Sequence, residues 1–506
     1  MSVRILSSTF NGINGIPVFV EVDVNRGLPC FNIVGLADTS VKEAKERVRS
    51  AIINSGYEFP LGRITVNLSP ADIRKEGSLF DLPIALGILS ATNQVRYKEK
   101  YMIIGELSLS GDINKINGAL PIVISALEKD SYNFIIPESN ECECAAVEND
   151  NIFVFSTLTD VINFFNHGCI HSLKKHNSYK NYEETYIGDF ADVKGQNSCK
   201  RAFEVAAAGH HNMIIFGPPG CGKSMLSKRL PSILPKLTRE EALEITKIYS
   251  IAGLLKENEG LVNKRPFRSP HHTSSTVSII GGSSKLLPGE ITLSHNGILF
   301  LDEFPEYERR VIEALREPLE EKKITITRSV GTVCYPANFM LICALNPCPC
   351  GFYGSGIKEC NCSDSEKRKY LSKLSGPFLD RIDIFSFAQY QKYKDIICTN
   401  PEETSSLIRS RVEYAREIQQ KRFKDDIFLC NNDMNEKSIK KYCKLTSSAE
   451  NILEKFFNKY PSSTRAYIKI LKLSRTISDM EESNLIHSKH ITEAIKYRQF
   501  INNEVI

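Results

Sequence analysis

The sequence predicts an α/β protein whose core is built to hold phosphate, and three observations predict it. Gly217-Pro-Pro-Gly-Cys-Gly-Lys-Ser224 fits G-x-x-x-x-G-K-[ST], between an apolar run, Met213–Phe216, and a helix start, Met225–Leu230. That strand–loop–helix context is what a phosphate-cradling loop needs. Ile298-Leu-Phe-Leu-Asp302-Glu303 is a second apolar strand, ending in two carboxylates. The flanks differ in kind: residues 1–168 mix strand and helix patterns around a core of their own, an α+β segment, while residues 396–506 read as all-α.

The loop residues Gly217, Pro218, Pro219, Gly220, Cys221, Gly222, Lys223 and Ser224 form the candidate nucleotide cradle. Glycines let backbone N–H groups turn inward on phosphate oxygens, and the following helix N-terminus adds partial positive charge. Lys223 is expected to reach the β- and γ-phosphates of ATP. Ser224 and Asp302 suit Mg²⁺ ligands, and Glu303 suits a base that polarises the attacking water.

With 506 residues the chain is long enough for two to four domains. A net charge of +4 is too small on this length to announce a nucleic-acid binder, although a ring can concentrate charge in its channel. The start, Met1-Ser-Val-Arg-Ile, has no basic region leading into an apolar core, and no run reaches the ~18 apolar residues of a membrane span. With 15 cysteines besides, the expectation is a cytoplasmic protein with reduced thiols and no membrane partner.

In the first segment Val18–Val24 and Arg63–Leu68 read as strands. Thr39–Asn54 has helical spacing, with Val41, Ala44, Val48, Ala51 and Ile52 on one face, and Leu82–Leu89 is an apolar helix. Lys75-Glu-Gly-Ser-Leu-Phe-Asp-Leu-Pro83 and Gly105-Glu-Leu-Ser-Leu-Ser-Gly111 resemble the proteolytic domain of Lon-type proteases, which implies a ribosomal protein S5 domain 2-like α+β fold. Aligned on those phrases, the protease's serine falls at Leu79 and its lysine near Leu120. Leucine offers neither nucleophile nor base. Ser78 and Lys115 lie close by, and a one-residue slip restores only part of a dyad, so the favoured reading is a scaffold without protease chemistry.

Residues 169–188 are polar, without apolar periodicity, and read as a linker. Residues 189–395 form the motor, opened by Asp189-Phe-Ala-Asp-Val-Lys-Gly-Gln196, which looks like the segment beside adenine in AAA+ ATPases, and by a helix over Ala202–Gly209. An insert follows the phosphate loop: Arg265-Pro-Phe-Arg-Ser-Pro-His-His-Thr273, Ile279-Ile-Gly-Gly282 and Pro288-Gly-Glu290. Adjacent His271 and His272 cannot easily share one metal, so the choice lies between a rigid Pro-bounded loop and a role at a ring channel. The insert, the strand ending at Asp302-Glu303, and Leu374-Ser-Gly-Pro-Phe-Leu-Asp-Arg-Ile-Asp383 together resemble the magnesium-chelatase-like AAA+ family, and the Lon-like front narrows the resemblance to its YifB/ComM subgroup. It covers nearly the whole chain. It implies a P-loop NTPase αβα motor with a helical lid, a homo-oligomeric ring, a hexamer, and DNA processing, with branch-migration helicase activity in transformation. The alternatives are a Lon-like ATP-dependent protease, a magnesium-chelatase-type remodelling ATPase, and a nucleotide-gated module that hydrolyses poorly.

Within that frame Asn346, ending the strand Phe339–Asn346, falls where such motors orient water against the γ-phosphate; a strand-end turn is the other reading. Arg381 falls at the finger that completes a neighbouring subunit's site, or else pairs with Asp380 or Asp383 in its own chain. Arg465 opens a lid helix where the family places a second sensor, with Lys469 and Arg475 as competitors. Lys322, Lys323 and Arg328 lie on a hairpin that turns near Gly331, and either meet DNA phosphates or merely guard a solvated edge. Cys348, Cys350, Cys360 and Cys362 form two C-x-C pairs, tighter than the usual C-x₂₋₄-C, and offer a structural Zn²⁺ site or a thiol-rich loop. In the lid Glu402–Arg422 fits one long helix and Ser447-x-x-Glu450 a capping box.

Overall fold

The computed structural model describes residues 2–168, 188–391 and 402–498, apart from 37, 76, 99, 257–258, 284, 330, 355, 357 and 461–462. The expected linker therefore lies, but for Gly188, outside the described residues, as does the junction between motor and lid.

The first unit contains strands β1 (Ser2–Asn11), β2 (Asn14–Asn25), β3 (Cys30–Val34), β4 (Arg63–Ser69), β5 (Tyr101–Ile103), β6 (Glu106–Leu107), β7 (Ile113–Asn114), β8 (Asn133–Pro137) and β9 (Ile152–Phe155). Seven of them make a mixed sheet in the order β3-β4-β2-β1-β5-β8-β9. Alternation decides the register: Val20 pairs with Leu68 and Val22 with Val66, all four buried on the inward face. The helix Thr39–Asn54 has the predicted bounds, capped by Asp38 through the Val41 N–H, and buries the predicted face. Leu79 and Leu120, where a protease dyad would stand, are core residues. Ser78 donates to Glu106, and Lys115 donates to the Leu255 carbonyl at 2.9 Å, so the neighbouring nucleophile and base are engaged separately.

The motor contains β10 (Met213–Phe216), β11 (Phe267–Arg268), β12 (Ile298–Leu301), β13 (Lys323–Arg328), β14 (Gly331–Pro336), β15 (Met340–Leu345) and β16 (Ile384–Phe387). Five of these strands form a parallel sheet, β11-β12-β15-β10-β16. Its central strands are continuous apolar runs because helices cover both faces. Chain order reverses on either side of β10, so the crevice beyond its carboxyl end is the natural ligand position. The first unit docks on the motor: the Gly118 N–H donates to the Ser250 carbonyl, joining the helices Ala119–Leu127 and Arg239–Ala252.

Beyond the sheet lie helices Ser405–Arg422, Ser447–Lys459, Thr464–Met480 and Ser488–Lys496. The second is capped by Thr446, one residue before the expected cap. They share a continuous apolar core with the motor, from Phe203 and Ile215 to Ile470 and Ile491. A buried polar knot reinforces the seam. Asp383 is fully buried, pairs with Lys469 and accepts the Asn212 N–H at 2.8 Å. Burial opposes its ionisation, yet Lys469 and His211 hold it well below the usual carboxylate range. Asp383→Ala leaves Lys469 without its partner, and about 3–5 kcal/mol of stability is expected to go, measurable by urea unfolding.

Candidate functional site

The loop after β10 crosses the carboxyl edge of the sheet. Gly220 and Gly222 take φ of +76° and +90°, which L side chains adopt only with strain. A Cβ on Gly217 would stand 2.6 Å from the Ala388 carbonyl oxygen. Gly222 turns the chain so that the helix begins at Lys223, two residues earlier than expected, with its free N–H groups facing the loop.

Lys223 is buried, and its ammonium donates to the carbonyls of Gly217 at 2.7 Å and Pro218 at 3.0 Å and to Asn346 Oδ1 at 3.1 Å. Burial lowers its pKa, with Asp302 and Glu303 acting against that loss. Ser224 Oγ donates to Asp302 Oδ2 at 2.5 Å. A hydroxyl and a carboxylate converging beside the loop are the hard oxygen donors that fit Mg²⁺. Pro219, Gly220, Cys221, Asp302, Glu303 and Asn346 line a cleft of about 390 Å³ here. The predicted cradle, its carboxylates and Asn346 thus meet in one place.

Glu303 holds a left-handed backbone, φ +49°, and is more than half exposed. Its Oε2 lies 3.2 Å from His272 Nδ1. The insert therefore reaches the candidate base directly, a contact that sequence reasoning missed because nothing local marks it.

Arg381 and Arg465 stand elsewhere. In the register of β16 against β10, Ile384 lies level with Met213 and Phe387 with Phe216. Arg381 precedes β16 and the loop follows Phe216, so at least ~10 Å of strand separates them. Arg381 donates to the Pro377 carbonyl at 2.5 Å and pairs with Glu320 at 2.7 Å, not with Asp380 or Asp383. Arg465, second residue of its helix, lies 3.8 Å from the same Glu320 and 4.0 Å from Asp380. Its competitors are committed: Lys469 to Asp383, and Arg475 to Asp479 in the lid core.

The hairpin is a separate two-stranded ribbon, β13 on β14, and not an edge of the main sheet. Ile324, Ile326, Val333 and Tyr335 point into the motor core while Lys323, Thr325 and Thr327 face outward. Lys322 precedes the ribbon and pairs with Asp433 in the lid. Arg328 Nε donates to the Gly282 carbonyl at 3.0 Å, and Lys323 lies 3.7 Å from Glu321.

Cys348, Cys350, Cys360 and Cys362 bring their sulfurs within 4.8 Å of one another. Cys348 is buried and the other three are half-buried. Such a cluster is compatible with Zn²⁺.

The fold and the site define an ATPase of the magnesium-chelatase subunit ChlI type. Models of that family match in three stretches: "Magnesium chelatase, subunit ChlI" over residues 189–396, "Subunit ChlI of Mg-chelatase" over 20–140, and the ChlI C-terminal region over 402–498. The protein YifB of Escherichia coli is 40% identical over 491 residues, 96% of this chain and 95% of that one. Competence protein ComM of Haemophilus influenzae is 40% identical over 512 residues, 99% and 98% of the two chains. The maternal DNA replication licensing factor mcm6 of Xenopus tropicalis is 21% identical over 304 residues, 57% of this chain and 32% of that one. This chain belongs to the YifB/ComM family of magnesium-chelatase-like proteins.

Proposed function

We propose that the protein is an ATP-driven motor that assembles as a homo-oligomeric ring, a hexamer, and acts on DNA as a branch-migration helicase. The observation that supports the ring is the placement of Arg381 at the opposite end of the sheet from its own chain's phosphate loop, with Arg465 gathered beside it on Glu320. The site for ATP, held by Gly217–Ser224 with Mg²⁺ on Ser224 and Asp302, is completed by Arg381 from the next subunit, and Arg465 is the sensor that reports the γ-phosphate to the lid. Glu303 activates water, Asn346 orients it, and Lys223 exchanges its carbonyl partners for phosphate oxygens. The four thiolates hold a structural Zn²⁺. The first unit is a Lon-like scaffold that no longer cleaves peptides, since Leu79 and Leu120 replace the dyad. The units divide at residues 1–168, 189–395 and 396–506.

The names of ComM and mcm6 support DNA as the substrate, and the ribbon supplies the contact. With Lys322 tied to Asp433, phosphate contact falls chiefly to Lys323 and Arg328. No described helix is long and apolar enough to cross a membrane. The abundant free thiols among the described residues suit the cytoplasm.

The deciding measurement is ATPase rate with and without forked or single-stranded DNA. Stimulation is expected; no response to any DNA form sinks the DNA assignment. Neutralising Lys323 and Arg328 is expected to weaken DNA binding regardless of sequence and to flatten its salt dependence by up to about two charges, leaving DNA-free ATPase intact. Unchanged affinity would return the ribbon to a packing role.

A further inference from the structure

The four-cysteine loop touches the nucleotide site. Cys348 lies two residues beyond Asn346, which receives the Lys223 ammonium. Gly351, between the two C-x-C pairs, adopts φ +83° and lies so close to the phosphate loop that a Cβ there would stand 2.6 Å from Pro219 Cδ and 3.7 Å from Asn346 Cγ. The second pair leads into the helix Asp364–Leu371, whose Tyr370 comes back beside the Asn346 backbone. The loop thus leaves Asn346, folds against Pro219, and returns to Asn346 through Tyr370.

The sulfur geometry is that of a metal knot. Cys348 Sγ lies 3.3 Å from Cys350 Sγ and 3.6 Å from Cys360 Sγ, and the last two are 3.6 Å apart. A tetrahedral Zn²⁺ with sulfur ligands at about 2.3 Å sets its sulfurs about 3.8 Å apart, whereas a disulfide needs about 2.05 Å. The Tyr353 N–H points at Cys348 Sγ at 3.4 Å. Such a donor stabilises a thiolate as a ligand.

We infer that this zinc knot is a positioning device for ATP: by fixing Gly351 against Pro219, and Asn346 at its strand end, it holds the phosphate loop in its binding shape. The inference rests on the zinc reading given above. It deepens that reading by assigning the metal an effect on nucleotide affinity. Coupling between two bound ligands is reciprocal, so each must tighten the other.

The test uses the intact wild-type chain. Metal analysis comes first, and about one zinc per chain is expected. Less than half a zinc per chain, with all four thiols freely titratable, overturns the zinc reading and this inference with it. Zinc affinity is then measured against a nitrogen-donor chelator that leaves Mg²⁺ alone, with and without a saturating non-hydrolysable ATP analogue and Mg²⁺. Nucleotide is expected to tighten zinc about 5-fold or more, and zinc-stripped protein to bind the analogue more weakly by the same factor. Equal zinc affinity in both conditions leaves the metal site standing and overturns the positioning role. In Gly351→Ala, whose added Cβ would stand 2.6 Å from Pro219 Cδ and must part the two loops, zinc is expected to bind while its effect on nucleotide affinity disappears. Full coupling in that variant overturns the Gly351–Pro219 route.

Discussion

Arg381→Ala is expected to slow ATP hydrolysis by about 10³-fold or more while leaving nucleotide binding in place. The size follows from the chemistry. Charge spreads over the transferring phosphoryl group, and Lys223 with Mg²⁺ neutralises only part of it. On the proposed reading a guanidinium arriving from a neighbour would supply the rest. The direction follows from the register of β16 on β10, which sets Arg381 at the amino end of the sheet while the loop occupies the carboxyl end. Mixing separates this from a structural role. Lys223→Ala chains keep the finger, and Arg381→Ala chains keep the loop. Mixed rings are expected to regain activity at interfaces that join an intact loop to an intact arginine. If mixed rings form without recovery, and Arg381→Ala alone turns over normally, the assignment is wrong. The Glu320 carboxylate, 2.7 Å from Arg381, is the partner that a neighbour's phosphate must displace.

Glu303→Gln is the second large effect: ATP binds, and turnover falls by about 10²–10⁴-fold. Glutamine keeps the length and a polar contact to His272 but cannot take a proton from water. Ser224 and Asp302, which would hold Mg²⁺, are untouched, so the variant is expected to accumulate in the ATP-bound assembled state, visible by sedimentation. Lys223→Ala, in contrast, loses the ammonium that meets phosphate and is expected to abolish binding or turnover. Turnover of the glutamine variant at the wild-type rate would move the base to another residue.

What could be read from the chain follows from how local each feature is. The phosphate loop is contiguous because one turn of backbone must surround one phosphate, and Met213–Phe216 ahead of it forms the strand expected. Asp302 and Glu303 are legible because an apolar strand delivers them to the carboxyl edge. Thr39–Asn54 is legible because its apolar face repeats at helical spacing. Contacts made by folding are not legible. His272 meets Glu303 across the insert, and Glu320 gathers Arg381 and Arg465 from distant segments. The lid cap moved from Ser447 to Thr446 because adjacent hydroxyl residues offer equivalent acceptors, and the helix starts one residue earlier.

The pair between Lys322 and Asp433 has a mechanical consequence. Lys322 sits at the root of the ribbon, and Asp433 belongs to the helical region, its side chain almost wholly shielded from water. Asp433 also accepts the Leu429 and Cys430 N–H groups, so the lysine is held by a carboxylate that is itself fixed in place. Any rotation of the helical region against the motor would therefore load the ribbon's root. The ion pair would then act as a tie rod between the helical region and the strand ribbon.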